Sequence, residues 1–213
     1  PSLMVKAHEA ERATPFAVVS RVVLGLGHNI EAIPAWARAE LARFMPDWGP
    51  APSTPPEPLR LRQSFIAAMA TWSRRRHALL VLDDMQWADA DTRELIRYLA
   101  SRWTESKTPI LLLLAVRQES FAADPLLREW LAQLGRHVPL TRLLLDSLSG
   151  TDVQQLVTHL AVPDADKEAT DEFGAWLWAE TGGLPFFIEA LLQTLVAKGN
   201  LAVAEVEGRS GYD

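Results

Sequence analysis

Leu79-Leu80-Val81-Leu82 runs straight into Asp83-Asp84, and Leu111-Leu112-Leu113-Leu114-Ala115-Val116 runs into Arg117. Two acids and a guanidinium at the ends of apolar runs are groups suited to phosphate chemistry. The first carboxylate can hold Mg2+, often through water, and the second can orient or deprotonate an attacking water. An arginine offers several donors to the oxygens of a γ-phosphate. Each group also has an ordinary use: an Asp after a strand often caps the next helix, and a strand-end Arg often makes a surface ion pair. Four apolar residues and two acids form a Walker B arrangement, and the arginine falls at the same edge of the neighbouring strand.

The elements that must position these groups can be read from the same chain. Residues 78–82 and 110–116 are apolar without alternation, the pattern of parallel strands covered on both faces, and open parallel sheets bind ligands beyond the carboxyl ends of their strands. Residues 2–7 read as a further short strand and 137–145 as a last one. Helices are expected between them. Thr14-Pro15 offers an N-cap with Pro at the first helical position, and Gly25 and Gly27 stop that helix. Others are expected over 34–45, over 59–76, from Asp91, whose spacing to Glu94 is that of a capping box, and after Asp124-Pro125. Asp89 or Asp91 reads as a helix cap. Residues 46–58 hold six prolines, an extended connection that either joins two helices or separates two domains.

This alternation predicts a three-layer α/β domain built on a parallel sheet over residues 1–146. Beyond it, apolar residues recur at helical spacing over 149–160, 164–180 and 185–198, which predicts a small helical domain over 147–200 and a flexible tail over 201–213. The stripe Phe186, Phe187, Leu191 and Leu195 reads as the core of that bundle.

Composition removes other classes. The chain has 213 residues with 27 acids against 21 Lys plus Arg, a formal charge of -6, which argues against a domain that binds the phosphate backbone of nucleic acid. It has no Cys, so neither a disulfide framework nor a thiol nucleophile is available. The five His are scattered, without the paired spacing of a zinc site, and no Gly-x-Ser-x-Gly elbow occurs. No apolar stretch is long enough to cross a membrane and no signal segment leads the chain, so a cytoplasmic location is the expectation. The first residue is Pro1, which reads as a piece of something longer.

The string Leu79-Leu80-Val81-Leu82-Asp83-Asp84-Met85-Gln86-Trp87-Ala88-Asp89 resembles the Walker B signature of STAND proteins, the signal-transduction branch of AAA-like P-loop ATPases. Leu111 to Arg117 resembles the sensor 1 strand of that group. Leu145-Asp146-Ser147-Leu148-Ser149 resembles the junction into its helical lid, and Gly183-Leu184-Pro185 its Gly-x-Pro lid motif. The pattern is closest to the ATPase modules of large LuxR-type bacterial regulators and of cyclase- or kinase-linked relatives. The resemblance implies a P-loop NTPase core with a helical lid that takes ATP and Mg2+ and acts as a signalling switch, probing its nucleotide for other domains of the same polypeptide, with homo-oligomerisation on activation. It gives Asp83 to Mg2+, Asp84 to the hydrolytic water, Arg117 to the γ-phosphate, and Gly183 and Pro185 to the adenine side of the cofactor. It implies no direct nucleic-acid or membrane contact by this chain.

One departure stands against that pattern. A P-loop needs Gly-x-x-x-x-Gly-Lys followed by Ser or Thr, whose backbone N–H groups and Lys hold the phosphates, and these residues contain none. The expectation is a core without its P-loop strand, that segment lying before Pro1. In the family the missing strand lies between the strands that 111–116 and 141–145 resemble, so apolar surface is expected to be exposed there and Mg-ATP to bind poorly to this chain alone. The alternative is a degenerate module that keeps the fold, has lost nucleotide and serves protein interaction, with Asp83, Asp84 and Arg117 as an ion-pair network.

Overall fold

In the computed structural model, which describes residues 1–74, 76–161, 166–199 and 201, three short segments pair as parallel strands. They are β1 (Ser2–Lys6), β2 (Ala78–Asp83) and β3 (Ile110–Leu114), in the order β1-β2-β3. Register is set by the apolar pattern, since a slip of one residue would turn the buried set to solvent. Val5 lies beside Leu82 and Leu82 beside Leu114, while Lys6 lies beside Asp83. The acid pair therefore ends the central strand.

Helices cover one face of this sheet. They are α1 (Ala17–Gly25), α3 (Pro58–Ser73) and α4 (Ala90–Ser106), with α2 (Ala35–Leu41) packed on α3. A cavity of about 20 Å³ between them is lined by Val19 and Val22 of α1, Phe65 of α3, Trp103 of α4, and Leu80 and Leu112 of the sheet. The other face is open: Met4 is 66%, Leu111 66% and Leu113 45% exposed. This corrects the expectation of strands buried on both faces. A continuous apolar run is equally compatible with one covered face, because alternate side chains leave a strand on opposite sides.

The chain divides into two units, Pro1–Thr141 and Arg142–Asp213. The proline-rich connection lies inside the first and carries only a short 3-10 turn, Pro46–Trp48. It is tied down by Arg43, whose Nη2 donates to the carbonyl of Thr54 at 2.8 Å. Arg43 also pairs with Glu40, a carboxylate only 2% exposed, which meets Arg60 on its other oxygen at 3.1 Å. α5 (Gln118–Ala123) and α6 (Pro125–His137) complete the unit, α6 capped by Asp124 as expected.

Three expectations about elements fail for local reasons. α1 starts at Ala17, not at Thr14, because Phe16 adopts a left-handed conformation, φ 60°. The capping box expected from Asp91 to Glu94 does not form: α4 is capped by Asp89, the other of the two caps that the sequence offers, whose carboxylate accepts from the backbone of Thr92, and Glu94 bonds Arg97. Residues 138–148 form no strand: α6 runs through Gly135 to His137, and Leu143 and Leu145 are 78% and 84% exposed.

The second unit consists of α7 (Gly150–Leu160), α8 (Lys167–Thr181) and α9 (Pro185–Ala197) around Val153, Val157, Leu177 and Ile188. Ser149 and Asp152 form a reciprocal capping box at α7. Phe186 and Phe187 are exposed rather than core, since the inward side of α9 is set by Ile188 and, half-buried, Leu191. The predicted helix start at Asp164 and the tail beyond Leu201 lie outside the described residues.

Candidate functional site

The parallel ladder continues past the strands: Ala7 donates to the Asp83 carbonyl, Ala115 to that of Leu82, and Met85 to that of Ala115. These bonds hold residues 83–85 and 115–117 side by side. At the end of β2 the backbone turns sharply, Asp84 having φ 54° and ψ 40°, and a 3-10 turn (Met85–Trp87) follows. A non-glycine residue is held in the left-handed region at some cost, and such residues occur at helix ends and at functional sites. Met85 is fully buried beneath the turn and Trp87 packs half-buried on the core, so the turn is fixed by its apolar residues and points its polar ones along the sheet edge.

Asp84 is the centre of the arrangement, its side chain 11% exposed. Its Oδ1 accepts from Gln86 Nε2 at 2.8 Å and from Arg117 Nε at 3.1 Å, and its Oδ2 pairs with Lys6 Nζ at 3.0 Å. Burial, the largest single influence, opposes ionisation, but the bonds from Gln86, Lys6 and Arg117 together outweigh it and hold the carboxyl at about 2. The same contact with Asp84 raises the Arg117 guanidinium above its ordinary range. Asp83 is more open, its side chain 29% exposed. Its Oδ1 accepts from the Asp84 backbone N–H at 2.9 Å, and its Oδ2 has Lys6 at 4.0 Å.

Asp83, Asp84 and Arg117 are thus brought together at the carboxyl ends of adjacent strands. Gly183 and Pro185 stand in the second unit, at the turn from α8 to α9. Gly183 has φ 72°, and a Cβ there would lie 2.0 Å from the carbonyl oxygen of Leu148, whose N–H donates to the Gly183 carbonyl at 2.8 Å. Pro185 is the exposed first residue of α9. Two members of the cluster, Lys6 and Gln86, were not expected from sequence. Lys6 is in sequence only one charge within a short strand segment, and its place beside the acid pair depends on the register with β2. Gln86 sits inside the Walker B-like string and carries no charge to mark it.

Among the described residues no group of three or more His, Asp or Glu could cage a metal ion. One partly open carboxylate, Asp83, fits a Mg2+ that keeps waters and arrives with phosphate oxygens. It does not fit an all-protein site. Among the described residues no helix is long and apolar enough to cross a membrane.

No curated protein matches the chain. Residues 3–114, just over half of the chain, match the family model for the AAA ATPase domain. The matched segment runs from β1 to the end of β3, takes in Lys6, Asp83, Asp84 and Gln86, and stops three residues before Arg117. With three parallel strands, an acid pair ending the central one and more than half of its length matched, the chain belongs to the AAA ATPase domain family.

Proposed function

We propose that this chain is the core of an ATP-binding and ATP-hydrolysing switch in a larger regulatory protein of the STAND type, cytoplasmic and transcriptional in output. The observation that carries the reading is the approach of Arg117 to Asp84, 3.1 Å apart across two parallel strands and beside Asp83. In this reading Asp83 holds the Mg2+ of the nucleotide, which supplies charge neutralisation on the phosphates. Asp84, ionised at neutral pH, orients the hydrolytic water by accepting its hydrogen bond. Arg117 exchanges its bond to Asp84 for the γ-phosphate. The helical unit acts as a lid, with Gly183 and Pro185 on the adenine side. The net charge of -6 favours a module that signals to other domains of its polypeptide, with homo-oligomerisation on activation, over one that contacts nucleic acid itself.

The reading requires a phosphate-binding loop that these residues do not contain. The open face of the sheet and the outer edge of β3, with Leu111 and Leu113 exposed, support the addition of a strand and helix there. In the full-length protein, Asp84→Asn is expected to slow ATP hydrolysis far more than it weakens ATP binding by calorimetry. Equal loss of both would make Asp84 structural.

One observation favours the second reading, a protein-interaction module without nucleotide: the Asp84 carboxylate is already satisfied by three side chains of its own chain. Under that reading, substitutions at Asp84 or Arg117 lower the melting temperature and leave Mg-ATP binding absent in wild type and variants alike.

A further inference from the structure

Gln86 is 3% exposed, yet it is polar and lies between the ends of two strands. Its Nε2 donates to Asp84 Oδ1 at 2.8 Å, and its Oε1 accepts from the backbone N–H of Arg117 at 3.3 Å. Only one orientation of the carboxamide serves both partners, because the carboxylate needs a donor and the N–H an acceptor. Arg117 Nε closes the circuit on the same carboxylate oxygen at 3.1 Å. A buried amide bonded on both sides is costly to half-satisfy, so the carboxylate and the first peptide unit before α5 are fixed relative to each other. Lys6 pairs with the other oxygen of the same carboxylate at 3.0 Å.

We propose that Gln86 is a positioning residue, whose carboxamide locks the Asp84 carboxylate to the main chain at Arg117 so that acid and guanidinium keep one relation across β2 and β3. The purpose of that lock rests on the nucleotide reading of Asp84 and Arg117; its geometry is measurable without nucleotide. Met85 and Trp87 hold the turn by apolar packing, which lets Gln86 be changed without removing the turn.

The test is proton exchange by NMR on the 213-residue chain, read at the Arg117 backbone N–H and at its Nε–H. Gln86→Met removes both bonds. We expect Arg117 N–H exchange to rise about tenfold and the Nε–H signal to move toward that of free arginine. Gln86→Glu keeps the acceptor and loses the donor, so it restores protection at the Arg117 N–H but not the Nε–H signature. A merely structural residue would lower the melting temperature of both variants and leave the Arg117 signals of the folded protein alone. That result overturns the proposal. If Gln86→Met does not fold, the wild-type Gln86 carboxamide protons decide: slow exchange supports the lock, and exchange as fast as in an exposed glutamine overturns it. Loss of the lock in a full-length protein that still binds Mg-ATP sinks this proposal alone. An intact lock without ATP binding sinks only the nucleotide reading.

Discussion

Asp89 Oδ1 accepts the backbone N–H of Phe16 at 3.1 Å, across 73 positions of sequence. The same oxygen accepts from Thr92 N at 2.8 Å, and the other from the Thr92 hydroxyl. One carboxylate therefore caps α4 and holds a bulky residue in the left-handed conformation that starts α1. Asp89→Ala is expected to cost about 2–3 kcal/mol, as it removes a helix cap and orphans a strained N–H. Asp89→Asn, which keeps an acceptor oxygen, is expected to cost about 1 kcal/mol. Urea unfolding of the two variants measures both, and equal losses would show that charge, not acceptance, matters at this position.

The depressed Asp84 carboxyl makes stability depend on acidity. Its folded value of about 2 lies below its ordinary 3.8, so the stabilisation is complete above pH 4 and is lost as pH falls toward 2. The amount is roughly 2 kcal/mol, smaller at high salt because Lys6 and Arg117 stand half in solvent. Denaturation of wild type and Asp84→Asn at pH 7 and pH 2.5 checks the sign: the gap between them narrows in acid. A gap independent of pH would remove the carboxylate as its source.

Glu40 anchors the proline-rich connection through Arg43 and Arg60. Glu40→Ala is expected to destabilise the protein by about 3 kcal/mol, since it leaves the partly buried Arg43 without its charge partner. It should also free the segment around Thr54 for proteolysis. Arg60→Met, altering a half-exposed partner, is expected to cost under 1 kcal/mol. Limited proteolysis and thermal unfolding together separate these effects.

Adjacent glycines at the end of α8 should differ sharply. A side chain at Gly182, φ 59°, meets nothing within 4 Å, whereas at Gly183 it meets the Leu148 carbonyl. Gly182→Asn is expected to cost under 1 kcal/mol, because Asn tolerates this conformation. Gly183→Ala is expected to cost about 2–4 kcal/mol and to break the Leu148–Gly183 bond. Trp178, whose indole N–H donates to Leu148 O at 3.2 Å, is a fluorescent reporter at this turn.

Much of this was legible in the sequence where local chemistry decides. β2 and its acid pair, Arg117 at the end of the next strand segment, and the cap at Asp124 each rest on neighbours in the chain. What sequence could not give rests on distant partners. The start of α1 is set by an acceptor 73 positions away in sequence, at Asp89. The exposed face of Leu111 and Leu113 looks, in sequence, identical to a buried one. Lys6 becomes part of the site only because β1 lies in register with β2, which places it beside Asp83.

That register has a kinetic consequence. Ser2 pairs with Leu79, 77 positions on, while Ala78 pairs with Ile110, only 32 on. Closing the longer loop costs more chain entropy before any ladder bond forms, so β2 and β3 with α4 between them make the natural nucleus and β1 docks afterward. Until it does, Asp84 has Arg117 and Gln86 but no Lys6. On that order the charge balance of the site is completed only when β1 pairs with β2.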